Sequence, residues 1–100
     1  MILYIDTTDF SKVTYALSDG KNIKQKSFVV DPHKSHETLF NLENFLKSSK
    51  IEISAIIKII VNKGPGSYTG VRVGVTHALA LGFSWNVPVK AVAKEKFIIK

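Results

Sequence analysis

The run Gly64-Pro65-Gly66-Ser67-Tyr68-Thr69-Gly70-Val71-Arg72-Val73-Gly74 concentrates the residue types in this chain that most readily build a binding loop. Glycine admits backbone conformations closed to other residues, and Pro65 fixes its own φ and gives up its N–H, so the run specifies a tight bend. Ser67 or Thr69 is placed to cap a helix beyond it. A joint of this kind aims free amides and the positive end of a helix at one point, which is the chemistry of an anion or phosphate site. Its spacing departs from the familiar versions. A Walker loop needs Lys and then Ser or Thr where this chain has Gly70-Val71-Arg72. The dinucleotide fingerprint wants its third Gly where Thr69 stands, with an acidic residue about twenty positions further on a second strand. A structural loop formed by Gly64, Pro65, Gly66, Ser67, Thr69, Gly70 and Arg72, opening a packed helix, is the competing reading.

Outside the loop, Asp6 stands before Thr7-Thr8 at the end of an apolar strand, where a carboxylate can orient a water, hold a metal or simply bond local amides. Arg72 is the only arginine, just inside the first turn after the loop, and is read as either a ligand contact or a surface residue. Asp6 and Arg72 are the possible ligand residues. His33 and His36 have no clear third ligand near them, so no metal is expected. His77 falls in an apolar helix and is read as packed or at an interface. No Ser-His-acid arrangement stands out along the chain, so no catalytic residue and no cofactor is assigned, and the residues alone do not make an enzyme.

Beyond the loop, Gly70, Gly74 and Ala78 recur every four residues, with Val71, Val73, Val75, Leu79 and Leu81 between them. Glycine inside a helix costs about 1 kcal/mol relative to alanine, so this bare face calls for a close backbone approach. The approach is either to the chain's own sheet or to a helix of another chain.

The elements that position these residues follow from periodicity. Met1 to Asp6, Lys12 to Leu17 and Ile23 to Val30 read as an antiparallel meander, turning at Ser18-Asp19-Gly20-Lys21. Asp31-Pro32 breaks the pattern. Ser35-His36-Glu37 can then cap a helix carrying Leu39, Leu42, Phe45 and Leu46 that stops near Ser48-Ser49-Lys50. Ala55 to Val61 is a near-continuous β-branched run, as in a central strand covered on both faces, and feeds the glycine loop. A helix and a short strand, Asn86 to Val92, follow, leaving an apolar tail over residues 93–100. The order βββ-α-β-α-β predicts an α/β fold with a mixed sheet.

Composition narrows the class. The length suits one domain. The chain has 14 basic and 8 acidic residues, a net charge of +6, and no cysteine. Disulfides and thiolate chemistry are therefore excluded. Positive charge raises nucleic acid as a partner, but the lysines are dispersed along the sequence and no aromatic-basic interleaving marks a stacking platform. No apolar run is long enough to span a bilayer and no signal peptide is evident, so a cytoplasmic protein without membrane contact is expected.

The segments Met1-Ile2-Leu3-Tyr4-Ile5-Asp6-Thr7-Thr8, Ser35-His36-Glu37-Thr38-Leu39 and Gly64 to Gly74 together resemble the TsaB (YeaZ) family. Its hallmark reads Gly-Pro-Gly-Ser-Phe/Tyr-Thr-Gly-Leu/Val-Arg-Ile/Val-Gly, and Ala78-Leu79-Ala80-Leu81-Gly82 and Val87-Pro88-Val89 also look like it. Two departures are the order Ser35-His36 in place of the common His-Ser and a tail that drifts from the family pattern. The resemblance implies a single actin-like, ribonuclease-H-like lobe of the sugar kinase and heat-shock ATPase superfamily over residues 1–100, without the family's second lobe. It implies a non-catalytic partner of a TsaD-like subunit, which transfers threonylcarbamoyl to the adenosine beside the tRNA anticodon, with tRNA reached mainly through the complex. It also implies a contact between helices, with self as a homodimer or with the TsaD-like subunit. Leu39, Leu42, Leu46, Gly70, Val71, Gly74, His77, Ala78 and Leu81 are the expected interface. The competing readings are a small nucleotide-binding domain using Asp6 and the loop Gly64 to Gly70, and a module that binds tRNA directly.

Overall fold

A computed structural model of the chain describes residues 1–9, 11–30 and 37–100, with side chains described from residue 41 onward in the first helix. The elements run β1 (Ile2–Asp9), β2 (Lys12–Ser18), β3 (Ile23–Val29), α1 (Glu37–Ser48), β4 (Lys58–Asn62), α2 (Tyr68–Trp85) and β5 (Val89–Val92), in the expected βββ-α-β-α-β order. The strands form one 5-stranded sheet in the order β3-β2-β1-β4-β5. Antiparallel pairing joins β1 to β2 and β2 to β3, and parallel pairing joins β1 to β4 and β4 to β5. The helices serve as crossovers, which parallel neighbours require.

Strand alternation sorts side chains by face. Leu3, Ile5 and Thr7 of β1, Val13, Tyr15 and Leu17 of β2, and Ile59 and Val61 of β4 are buried. With Leu42, Phe45 and Leu46 of α1 and Ala78 and Leu81 of α2 they make the core between sheet and helices. The opposite face carries Tyr4, Asp6 and Thr8 of β1 beside Thr14 of β2 and Ser27 of β3. Residues 93–100 run back along that face. Phe97 meets Tyr4 edge-on with ring centroids 5.9 Å apart, and Ser18 Oγ donates to the Lys100 carbonyl.

The structure corrects several expected boundaries. The apolar run from Ala55 is not strand from its start: Ile53–Ala55 forms a 3-10 turn, Ile56 enters the core, and Ile57 is 64% exposed before β4 begins at Lys58. Nor is β4 covered alike on its two faces, since Lys58 and Ile60 stay half-buried while Ile59 and Val61 are enclosed. The final strand begins at Val89, because Asn86 takes a left-handed conformation (φ 56°) and ends α2. Val87 N–H then donates to the Gly82 carbonyl at 3.0 Å. The expected helix cap at Ser35-His36, and His33, lie outside the described residues.

Candidate functional site

The loop between β4 and α2 is built around its own hydrogen bonds. Asn62, buried at the end of β4, accepts from Gly64 N–H through Oδ1 at 2.9 Å. Ser67 N–H donates to the Thr8 carbonyl at 2.8 Å, tying the loop to β1. Ser67 is the N-cap of α2: its Oγ accepts from Gly70 N–H at 3.2 Å, and its carbonyl from Val71 N–H at 2.8 Å. Gly64 has φ +92°, the left-handed region where glycine is favoured, and its carbonyl accepts from Lys94 N–H at 2.8 Å. The amides of Gly64, Ser67, Gly70 and Val71 are thus directed at protein acceptors. That is a tight structural joint, and it disfavours a phosphate cradle, which needs amides free to face the ligand.

The bare helix face is consumed by the chain's own sheet. A Cβ placed on Gly70 would lie 2.2 Å from the Thr7 carbonyl oxygen, and one on Gly74 would lie 1.9 Å from Thr7 Oγ1. One on Gly82 would meet Val89 Cγ2 at 2.3 Å. Thr7 Oγ1 completes the contact by donating to the Gly70 carbonyl at 2.6 Å. Glycine at these positions lets α2 lie close on β1 and β5, which offsets the propensity it costs the helix.

The sheet takes up part of the expected interface. Gly74 and Ala78 on α2 are enclosed within the lobe, while Leu81 on α2 and Leu42 and Leu46 on α1 are nearly buried and line a groove between the helices. Gly70 and Val71 are half-buried against Thr7 and Gly64. The Leu39 side chain lies outside the described residues. His77 is turned inward, with Nε2 3.2 Å from the Tyr15 hydroxyl and its ring edge-on to the Tyr15 ring. Burial lowers the His77 pKa to about 4, holding it neutral, and raises that of the Tyr15 phenol.

What α2 presents outward is a different set. Leu79 is 57% exposed and Phe83 92%, spaced four residues apart on one helix face. A groove of about 340 Å³ runs between the helices, lined by Leu42, Leu46, Ile53, His77, Leu81 and Trp85 among others. Sequence periodicity registered Leu79 only as one more apolar position and passed over Phe83. The signal was available: both residues lie off the Gly70-Gly74-Ala78 stripe that the sheet occupies.

The possible ligand residues are not brought together. Asp6 Oδ1 accepts from Thr8 N–H at 3.0 Å and Thr8 Oγ1 at 2.7 Å, on the sheet face away from the helices. Arg72 is exposed on α2, with Nη1 3.3 Å from the Tyr68 hydroxyl and its guanidinium 5.5 Å from that ring's centre. Among the described residues no cluster of three or more His, Cys, Asp or Glu is placed to hold a metal, and no helix is long and apolar enough to cross a membrane.

The sheet order and helix placement define a ribonuclease-H-like, actin-like lobe. Thermus thermophilus RuvC, in its complex with a Holliday junction substrate, shares the fold at 12% identity, with a TM-score of 0.63 over 94% of this chain and 64% of that one. YeaZ from Pseudomonas aeruginosa is closer, at 26% identity and a TM-score of 0.81 over 92% of this chain and 43% of that one. In sequence, the chain is 34% identical over 92 residues to the tRNA threonylcarbamoyladenosine biosynthesis protein TsaB of Bacillus subtilis strain 168, covering 92% of this chain and 40% of the relative. Residues 29–99 match the family described as TsaD: tRNA N6-adenosine threonylcarbamoyltransferase. The chain belongs to the TsaB (YeaZ) family, and it spans 40% of the length of that curated relative.

Proposed function

We propose that this chain is a non-catalytic scaffold which supports the threonylcarbamoylation of tRNA, docking the outward face of its helices on a TsaD-like subunit. A second copy of the chain is the other occupant that would fit this face, as a homodimer. The observation that carries the reading is Phe83, 92% exposed, with Leu79 one turn before it on the same outward face of α2. An aromatic side chain held in water with an apolar neighbour gains by being covered, and a protein surface that presents such a group marks an interaction site. The glycine stripe shapes this face indirectly. By laying α2 close on β1, it fixes the direction in which Leu79 and Phe83 project.

In this reading the transfer chemistry belongs to the partner, tRNA is reached through the complex, and the chain works in the cytoplasm without a cofactor. Names support the assignment to this pathway: the TsaB relative is a threonylcarbamoyladenosine biosynthesis protein, and the matching family is that of the transferase.

The test is the solution mass of the chain alone and mixed with the TsaD-like protein of its own organism, with Phe83→Asp in parallel. A larger species with the wild type, absent with a folded Phe83→Asp, is the expected result. A wild type that stays monomeric in both samples and leaves threonylcarbamoyl transfer unchanged refutes the proposal.

A further inference from the structure

The outward side of α2 carries one charge along its whole length. None of the 18 residues of the helix is acidic, and besides His77, which is held neutral, Arg72 is its only basic residue. A helix with one side in water ordinarily dresses that side with charged residues. Here the large exposed side chains are Tyr68, Arg72, Leu79 and Phe83. At about 3.6 residues per turn these four fall within about 60° of arc, and the stripe runs about 22 Å along the axis from Tyr68 to Phe83.

Among the described residues this cation has no counter-charge. Arg72 Nη1 donates to the Tyr68 hydroxyl at 3.3 Å, and the guanidinium lies 5.5 Å from the centre of that ring, one turn earlier on the same helix. The ring holds the guanidinium in place without neutralising it, and the rest of its N–H fork has no protein acceptor. The carboxylates are elsewhere. Asp6 Oδ1 holds Thr8 and Asp9 Oδ1 holds Ser11 by the end of β1, while Glu43 of α1 lies by Ala80 and Ser84. Ala80 is about two turns further along α2. Nor does the helix dipole favour the charge, since Arg72 stands in the half nearer its positive end.

We infer that Arg72, held by Tyr68, sets the specificity of the docking face: its guanidinium receives a carboxylate of the TsaD-like subunit when Leu79 and Phe83 are covered. The inference rests on the scaffold reading and deepens it by naming the partner's chemistry, an acidic side chain about 16 Å along the helix from an apolar patch. Covering this face takes the guanidinium out of water, and an unmatched buried charge would cost more than the apolar contact returns. A carboxylate answers the planar fork with paired hydrogen bonds. A phosphate would suit the fork as well, but a nucleic-acid backbone laid along α2 would meet one cation and two apolar side chains, where it needs several cations. Aromatic residues and arginine around an apolar centre are the make-up of a protein interface. A second copy presents the same α2, which has no carboxylate, so its Glu43 on α1 would have to serve.

The experiment measures capture of the TsaD-like protein of the same organism at several salt concentrations, with the melting point of each variant. It compares wild type with Arg72→Met, which keeps an apolar stem and removes the charge, with Phe83→Ser, and with Lys90→Gln, which removes one charge on the edge strand β5. Arg72→Met is expected to weaken capture about tenfold at low salt and to flatten its salt dependence, with its melting point unchanged and Lys90→Gln binding as wild type does. Arg72→Lys, which keeps the charge but not the fork, should recover part of the loss. Loss in Phe83→Ser with none in Arg72→Met refutes the ion pair alone. Wild-type capture by both refutes the docking face, and no capture by wild type refutes both readings. Equal losses in Arg72→Met and Lys90→Gln, or a loss that follows a lowered melting point, overturn the ion pair as a matter of net charge or of folding. Self-association that Arg72→Met and Glu43→Gln break alike would put the carboxylate on a second copy, and a stem-loop RNA bound by wild type but not by Arg72→Met would put a phosphate there. Either result overturns the inference.

Discussion

Thr7 Oγ1 occupies the place where a side chain at residue 74 would have to go: a Cβ on Gly74 would lie 1.9 Å from it, while the same hydroxyl donates to the Gly70 carbonyl at 2.6 Å. One strand residue thereby dictates two glycines of α2. Gly74→Ala is expected to destabilise the lobe by about 1–3 kcal/mol, because the overpacking cost exceeds the roughly 1 kcal/mol gained in helix propensity. In a domain of this size that is a fall in Tm of about 4–8 °C per kcal/mol. Adding Thr7→Ala removes the Oγ1 that the new methyl meets. The double variant should then be more stable than the sum of the single changes predicts, with a coupling above about 0.5 kcal/mol in a urea-unfolding cycle. Additive changes would place the strain elsewhere.

The cap and the strand-end amide should differ in weight. Ser67→Ala removes the Oγ acceptor of Gly70 N–H at the partly exposed start of α2, and caps of this kind are worth about 1 kcal/mol. Asn62→Ala leaves Gly64 N–H unpaired in a buried setting, and Asn62 is itself only 2% exposed. An unsatisfied buried donor costs about 1–3 kcal/mol, so Asn62→Ala is expected to be the worse of the two by thermal melt. The reverse order would mean that the loop re-forms around a water or another acceptor.

These glycines show where the sequence was legible. Periodicity located both helices, the meander and the strand feeding the loop, because apolar residues at helical or alternating spacing report which face is covered. The motif also identified a tight joint and Ser67 as a possible cap. It did not reveal what the bare helix face touches, since a small-residue stripe fits a sheet and a second helix equally well. The discriminating atom is Thr7 Oγ1, more than sixty residues away along the chain. For the same reason Gly74 and Ala78 are packed within the lobe, and Phe83, which lies off their stripe, is exposed.

His77 supplies a pH dependence. Its ring is half-buried against Tyr15 of β2, and Glu43 of α1 lines the same groove. Burial lowers its pKa from 6.5 to about 4, so between these values the unfolded chain binds a proton that the folded chain does not. Stability from this group is therefore complete above about pH 6.5 and is lost as the pH falls toward 4, by a total on the order of 3 kcal/mol. His77→Gln, which cannot take up the proton, should lower stability at pH 7.5 but flatten the profile between pH 6.5 and 5. Urea unfolding of both proteins across that range checks it. Parallel profiles would show that other groups control the acid limb.

Phe83 and Leu79 separate stability from association. Both are exposed on the outward face of α2, so replacing them with polar residues removes little buried area. Surface changes of this kind usually alter stability by no more than about 0.5 kcal/mol. Phe83→Ser and Leu79→Ser are accordingly expected to melt within a few degrees of wild type, while Gly74→Leu, which drives a branched side chain into Thr7, is expected to unfold the lobe. In a capture assay with the TsaD-like protein, an exposed aromatic that anchors an interface loses at least about 2 kcal/mol on truncation, or roughly thirtyfold in affinity. Phe83→Ser should then show that loss with its melting point unchanged, and Leu79→Ser a smaller one. If both variants bind as wild type does, the helix face is not the docking surface. If Phe83→Ser loses binding only in proportion to a lowered melting point, its effect is on the fold, and the scaffold reading loses the observation that carries it.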